Sequence, residues 1–532
     1  MATTHILALD QGTTGSTALI VSIDEGDGCG GGQTGTRSVG EKKIRILAKA
    51  TVEFPQHYPQ AGWVEHDLEE IWRSMLSAIE RTVALAGREQ PDFSLNKIAG
   101  IGITNQRETI CFFERGTGLP VRRAIVWQCR RSADICNEIK ANGSGAESGR
   151  DIQRMTGLVL DPYFSGSKVR WIMENDSQTA TAVRNGKAVI GTIDSYLLHR
   201  LTGGKVFATE PSNASRTMLF NIVKGKWDEG LLKLFKVPSP DCLAEVRDSA
   251  GVFGKTAGIG ILPDGIPIAG ILGDQQAALA GQTCFAEGDA KCTYGTGAFL
   301  LANTGDHIVY SEGGLLTTVA WSLNGKRTYA LEGSCFIAGA AVQFLRDQLG
   351  FIGSSAEIEA LASKKPAAPE IYFVPALAGL GAPYWDAAAR GAIFGMTRGT
   401  SRAEIARAVL EGIAFQVQDV LHVMEIDARR KIKRLRVDGG ATANNLLMQI
   451  QSDFIGGEVE RPVNLESTAL GAAMFAGLGV KAFGSIDEIS SSRTIEKIFM
   501  QSSQNVEDDF VKKQISGWQR AVAATRLFAQ KS

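Results

Sequence analysis

The sequence contains no apolar stretch approaching the roughly 20 residues that a membrane-crossing helix needs. Its start, MATTHILALD, has no basic segment ahead of a short apolar run, so it does not read as a secretory signal. Neither charge is in excess: the formal net charge is −1, which argues against nucleic acid or an anionic membrane as the main partner. No Gly-x-x-x-x-Gly-Lys-[Ser/Thr] motif occurs, which excludes a P-loop enzyme. Histidines number 6 and are scattered without ligand spacing, which argues against a histidine-based metal site. The cysteines (Cys29, Cys111, Cys129, Cys136, Cys242, Cys284, Cys292 and Cys335) form no CxxC pair. They read as reduced, mostly buried thiols, and the expected location is the cytoplasm.

What is present is ordinary globular composition, 44% hydrophobic and 21% charged, over 532 residues. Single cores stop growing at roughly 250–300 residues, so more than one domain is expected. HILAL, the turn residues DQGTTG and STALIVSI read as strand, turn, strand. The stretch Glu25–Lys43 is glycine-dense and polar, and IRILAKATVEF resumes the strand pattern. The simplest reading is a three-strand meander with an enlarged, flexible turn. VEHDLEEIWRSMLSAIERTVALAG has helical periodicity, IAGIGITNQRE is a buried strand with a polar end, and AIVWQCRRSADICNEI runs from strand into helix. Alternating strands and helices indicate α/β layers.

The opening pattern returns later. DQGTTGSTALIV and TYGTGAFLLAN both place a Gly-Thr turn between β-rich runs. Either two hairpins coincide in composition, or two similar domains face each other across a cleft. A third glycine turn, in RVDGGATANNLLMQIQSDFIG, opens an amphipathic helix with Leu446, Leu447, Ile450 and Phe454 on one face.

Polyphosphate binding needs many donors at close range. Backbone N–H groups of tight glycine turns and nearby hydroxyls supply them. Gly12, Thr13, Thr14 and Ser16 could hold one end of a polyphosphate, and Gly295, Thr296 and Gly297 the other. Asp10, at a strand end, is placed to hold Mg²⁺ through water. Each turn could equally do no more than reverse a hairpin. Arg107 and Glu108 follow an apolar strand, where α/β sheets bind ligands, although a surface ion pair would look the same. Asp274 stands between a strand and a small-residue helix. That position suits either a helix N-cap or a general base for a hydroxyl nucleophile.

The motifs DQGTT, AGWVEHD, GITNQRET, AIVWQCRR, TGLVLDPYFSGSK, NASRTMLFN, GDQQAAL, TYGTG, GLGAPYWD, RGAIFG and VDGGATANN extend through nearly the whole chain. On them the chain resembles the glycerol-phosphorylating branch of the FGGY carbohydrate kinase family, in the actin-like ATPase superfamily. YFSGSKVRWIMEN and GAIFGMTRGTSRAEIARAVLE resemble the two family signatures. The resemblance leaves out the Glu25–Lys43 loop and the last few dozen residues.

The resemblance implies an α/β fold of two actin-like (ribonuclease H-like) domains. Each would be a mixed β-sheet flanked by helices, with the active site in the cleft between them. The expected division is 1–282, with phosphate loop 1, the glycerol site and the glycine-rich insertion 25–43, and 283–532, with phosphate loop 2 and the adenine site. Implied glycerol-binding residues are Arg107, Glu108, Trp127, Tyr163, Asp274, Gln275 and Phe299, with Asp274 also the general base. Implied nucleotide-binding residues are Thr13, Thr14, Gly15, Ser16, Thr296, Gly339, Gln343, Gly440 and Asn444, with Asp10 on Mg²⁺. ATP and Mg²⁺ are the implied cofactors, and a homodimer or homotetramer the implied assembly.

Thr17 stands where many relatives carry an arginine that reaches nucleotide phosphate. AGIGILPDGIPIAG has no arginine for fructose 1,6-bisphosphate, and the regulatory histidine of some relatives is missing. Another FGGY sugar kinase, such as a pentulose kinase, is the alternative expectation. An ATPase with only a conformational output is a further one, though it would need neither Arg107–Glu108 nor Asp274.

Overall fold

The computed structural model describes residues 3–25, 42–142, 149–365, 370–502 and 508–530. Most of the glycine-rich stretch, and Cys29 with it, lies outside the described residues. Its two ends are strands paired side by side, Asp24 against Lys43, so the stretch does join neighbouring strands of a meander.

The first sheet is built from β1 (Thr3–Gln11), β2 (Gly15–Asp24), β3 (Lys43–Glu53), β4 (Ile98–Asn105) and β5 (Pro267–Gly273), in the order β3-β2-β1-β4-β5. β2 runs antiparallel to β1 and β3, whereas β1, β4 and β5 are parallel. The second sheet repeats this plan with β6 (Ala290–Tyr294), β7 (Ala298–Gly305), β8 (Lys326–Cys335), β9 (Arg434–Asp438) and β10 (Glu458–Pro462), in the order β8-β7-β6-β9-β10. β7 is antiparallel to β6 and β8, while β6, β9 and β10 are parallel. Strand order and direction therefore agree in both halves, and the repeated Gly-Thr turn reflects a duplicated architecture. Ala250–Lys255 extends the first sheet at one edge, and Leu316–Leu323 and Ile495–Phe499 flank the second.

Helix α1 (Leu68–Glu89) covers one face of the first sheet, burying Leu68, Ile71, Met75 and Ile79. It begins four residues later than the sequence pattern suggests. Asp67 accepts hydrogen bonds from the Glu69 and Glu70 amides, an N-cap worth about 1 kcal/mol, while Glu65 and His66 are drawn into a short strand. Between the two sheets lie α2 (Asp274–Gly281) and α6 (Ser467–Gly479); the others used below are α3 (Gly339–Asp347), α4 (Arg402–Asp427) and α5 (Asn445–Ile455).

The two inner helices cross over. α2 leaves the first sheet and packs Ala277, Leu279 and Ala280 against Leu301, Ala320 and Trp321 near the second. α6, far along the chain, packs Ala469, Leu470, Ala473 and Met474 against Ile6, Ala8, Leu19 and Val21 of the first. α6 is apolar all round, as a helix buried on both sides must be. The cysteines other than Cys29 are free and buried. Among the described residues, no helix is long and apolar enough to cross a membrane.

Candidate active site

The two Gly-Thr turns share a hydrogen-bond pattern. Gly12 N donates to Gly15 O at 2.9 Å, and Gly295 N to Gly297 O at 2.9 Å. In the first turn the carbonyls are held from behind: Gly12 O by Gln11 and Gln106, Thr13 O by Gln56, and Thr14 O by the Phe54 amide. Gln56 Oε1 is in turn 2.6 Å from His66 Nε2. Burial and the His57 charge push His66 down to about 3, so the ring stays neutral. The second turn rests on the start of α3, where Ala338 N and Ala340 N donate to Thr296 O and Gly339 N to Gly295 O. A Cβ at Gly339 would stand 2.6 Å from Gly295 O, so this approach requires glycine. With their carbonyls occupied from the rear, both turns are organised to offer N–H groups to an anion.

A cavity of about 410 Å³ opens beside the second turn. Six residues named from the sequence as phosphate or nucleotide contacts line it: Gly295, Thr296, Gly339, Gln343, Gly440 and Asn444. Ile358, Leu410 and Leu447, not anticipated from sequence, add apolar walls, and the volume suits a nucleoside-sized ligand. Asn444 caps α5 by accepting from Leu447 N at 2.8 Å.

Ser16 departs from expectation. Its side chain is buried and its hydroxyl is 2.8 Å from Ser74 Oγ of α1. Alternation along β2 is the reason: Ser16 lies opposite Gln11, and Thr17 lies opposite Asp10. Thr17 Oγ1 contacts Thr51 Oγ1 at 2.9 Å. Lys49, two residues from Thr51 along β3, pairs with Glu466 and is the cationic group that Asp10 senses.

Asp10 ends β1. Burial, then the charges of Asp274 and Glu466, push its carboxyl up to about 7. Asp274 begins α2 two strands away, roughly 10 Å by ordinary strand spacing. A carboxyl whose charge is opposed by burial and then by two negative neighbours sits where a cation would be stabilised. The donors offered here are carboxylate oxygens. That suits Mg²⁺, which takes one or two carboxylates and fills its shell with water and phosphate oxygen.

The residues expected to contact a polyol converge. Asp274 is the first residue of α2, and Gly273 occupies the N-cap, so the capping reading of Asp274 does not hold. Arg107 Nε stands 2.9 Å from Asp274 Oδ1. Arg107 and Glu108 do not form a surface pair with each other; both are buried. Glu108 sits at φ +60°, and Ser165 Oγ donates to its carbonyl at 2.8 Å. The Trp127 and Tyr163 rings meet edge-on, 5.3 Å apart, and Trp127 Nε1 donates to Thr13 Oγ1 at 3.0 Å, which links this wall to the first turn. Lys168 Nζ holds the Tyr163 carbonyl at 2.7 Å.

Three residues that sequence reasoning missed complete the cluster. Glu332 of β8 accepts from Arg107 Nη1 at 2.6 Å and Nη2 at 2.9 Å. Arg216 donates through Nε to Glu108 Oε1 at 2.6 Å and through Nη2 to Glu332 Oε1 at 3.1 Å. Lys291 of β6 donates to Gln275 Oε1 at 2.5 Å and to the Phe299 carbonyl at 3.3 Å. Burial works against the Glu332 charge, but Arg107 and Arg216 outweigh it and bring the carboxyl down to about 2.

Over its length the chain is similar to known proteins. The N-terminal domain model of the FGGY family of carbohydrate kinases matches residues 28–281, and the C-terminal domain model matches residues 290–480. The chain is 48% identical over 526 residues to a glycerol kinase of Carboxydothermus hydrogenoformans, covering 99% of each. It is 47% identical over 528 residues to one of Oceanobacillus iheyensis, again covering 99% of each. Among solved structures, the Plasmodium falciparum glycerol kinase with ADP superposes with a TM-score of 0.87 at 36% identity, covering 98% of both chains. The protein belongs to the FGGY family of carbohydrate kinases.

Proposed function

We propose that this protein transfers the γ-phosphoryl group of ATP to a terminal hydroxyl of glycerol, yielding ADP and sn-glycerol 3-phosphate. The observation that carries the reading is the convergence of Arg107, Glu108, Asp274 and the Trp127–Tyr163 wall beside two matched anion-binding turns. Full-length relatives named glycerol kinase support it.

Glycerol presents hydroxyls that each donate and accept. Arg107, Glu108, Asp274 and Gln275 supply matching partners, and Trp127, Tyr163 and Phe299 enclose the carbon chain. A buried polar site of this kind rejects analogues lacking a hydroxyl, because its own groups are then left unpaired. Asp274 takes the proton of the attacking hydroxyl, and that oxygen displaces ADP from the γ-phosphorus in line. Thr13, Thr14, Gly15 and the Thr296 turn hold the phosphates, and Gly339, Gln343, Gly440 and Asn444 line the nucleoside cavity. Asp10 would hold Mg²⁺ through water, and the bound ion would neutralise charge on the transferring group. Closure of the cleft would exclude water and suppress ATP hydrolysis. The same reading places the protein in the cytoplasm as a homodimer or homotetramer, with domains dividing at 282/283.

The test is a coupled assay of ADP release with and without glycerol, and with xylulose in its place. Release is expected to depend on glycerol and to be far slower with xylulose. A clear preference for xylulose would assign a pentulose kinase, and glycerol-independent hydrolysis an ATPase with a conformational output. Thr17→Arg is expected to lower the KM for ATP, because the new guanidinium would stand on the sheet face of Asp10. An unchanged or raised KM would mean that the missing arginine is either compensated, with Lys49 a cation whose charge reaches Asp10, or unimportant here.

A further inference from the structure

Every group proposed to touch glycerol is contributed by the first half of the chain except Phe299, yet the residue that grips Arg107 comes from the second sheet. We infer that Glu332 is a positioning residue for polyol recognition: it holds Arg107 and, through Arg216, Glu108 in half-engaged poses that leave free groups for substrate hydroxyls. The inference rests on the reading above, in which Arg107 and Glu108 bind glycerol.

The hydrogen bonds carry the argument. Arg107 spends Nη1 and Nη2 on Glu332 and shares Nη1 with Gln276 Oε1 at 3.2 Å. Its buried Nε faces Asp274 Oδ1 at 2.9 Å. The end of the guanidinium is thus fixed by Glu332, and the Nε edge is turned to Asp274 alone, where a substrate hydroxyl would meet both groups. Without Glu332, the anions left near Arg107 are Glu108 and, 2.9 Å from its Nε, Asp274. A bidentate pair between Arg107 and Asp274 would occupy the recognition edge and the proton acceptor together. Glu332 removes that competition by taking the fork itself.

The second arm works in the same way. Glu332 Oε1 also accepts from Arg216 Nη2, and Arg216 Nε engages Glu108 Oε1, leaving Oε2 outside that contact. Arg216 Nη1 is buried without a partner. The side chains of Arg107 and Glu332 are 2% exposed and that of Arg216 is 0% exposed, so water cannot replace a lost contact. The polyol pocket is therefore a joint product of both sheets, and separating them would loosen it.

The experiment compares kcat/KM for glycerol with kcat/KM for propane-1,2-diol and propane-1,3-diol, in the wild-type protein and in Glu332→Gln. Glycerol kcat/KM is expected to fall at least roughly ten-fold, mainly through KM, and the preference for glycerol over the diols to shrink by a similar factor. The ADP dissociation constant, measured by calorimetry, is expected to stay within about two-fold, since Glu332 does not line the nucleotide cavity. If glycerol and diol rates fall together and the preference is preserved, Glu332 is only structural and the inference is overturned. If Glu332→Gln does not fold, Glu332→Asp gives the same comparison, because it keeps the charge but is too short to span Arg107 and Arg216. Absence of glycerol turnover in the wild-type protein would overturn the functional reading itself, a failure distinct from a preserved preference in the variant.

Discussion

Asp274→Asn is expected to lower kcat for glycerol by something like 10²–10⁴-fold while leaving glycerol binding roughly intact. The substitution is nearly isosteric. The amide can still hydrogen-bond a hydroxyl, and Gly273 rather than Asp274 caps α2, so the helix start should survive. What disappears is the capacity to accept the proton as the O–P bond forms. Arg107 loses its 2.9 Å ion pair with Asp274 but stays held by Glu332, so the main change is to proton transfer. Steady-state kcat, read beside the glycerol dissociation constant from calorimetry, separates the outcomes. A near-normal kcat would remove Asp274 from the base role. A large loss of glycerol affinity with kcat maintained would make it a binding group.

The sequence carried much of this site because its components are short and local. The two Gly-Thr turns, the strand-end Asp10 and the Arg107–Glu108 step are visible as motifs, and the structure sets the first turn, Asp10 and Arg107–Glu108 at strand ends of the first sheet and the second turn at the matching place in the second. Ser16 turns away because of strand alternation: Thr17 pairs with Asp10, so its neighbour Ser16 faces α1. Glu332, Arg216 and Lys291 were not legible. Arg107 and Glu332 are separated by 225 positions, and nothing in the spacing of either announces the other. Glu332 lies in the middle of an apolar strand, YALEGSC, where sequence alone suggests an isolated polar residue. Only tertiary packing reveals that its partners are the residues of the polyol pocket.

The crossover of α2 and α6 was equally hidden, and it supports the second large effect. Gly471→Val is expected to destabilise the protein by about 3 kcal/mol or more, the upper part of the overpacking range. A Cβ at Gly471 would stand 1.8 Å from Ala277 O, and one at Gly281 would stand 1.9 Å from Ser467 O. Both contacts are with backbone, which cannot swing aside as a flexible side chain could. Denaturant unfolding midpoints measure the loss, and an unchanged midpoint would show that α2 and α6 separate at little cost. The smaller change Gly471→Ala tests the link to function. α2 is only eight residues long, with Asp274 at one end and Gly281 at the other. Forcing α2 and α6 apart near Ala277 must therefore move the end that carries Asp274. Displacement of a reacting group by about 1 Å costs on the order of 10²-fold in rate. Gly471→Ala is accordingly expected to lower kcat well beyond its effect on the fraction folded, although Gly471 touches neither substrate. Full kcat in folded Gly471→Ala would mean that α2 holds Asp274 in place independently of α6.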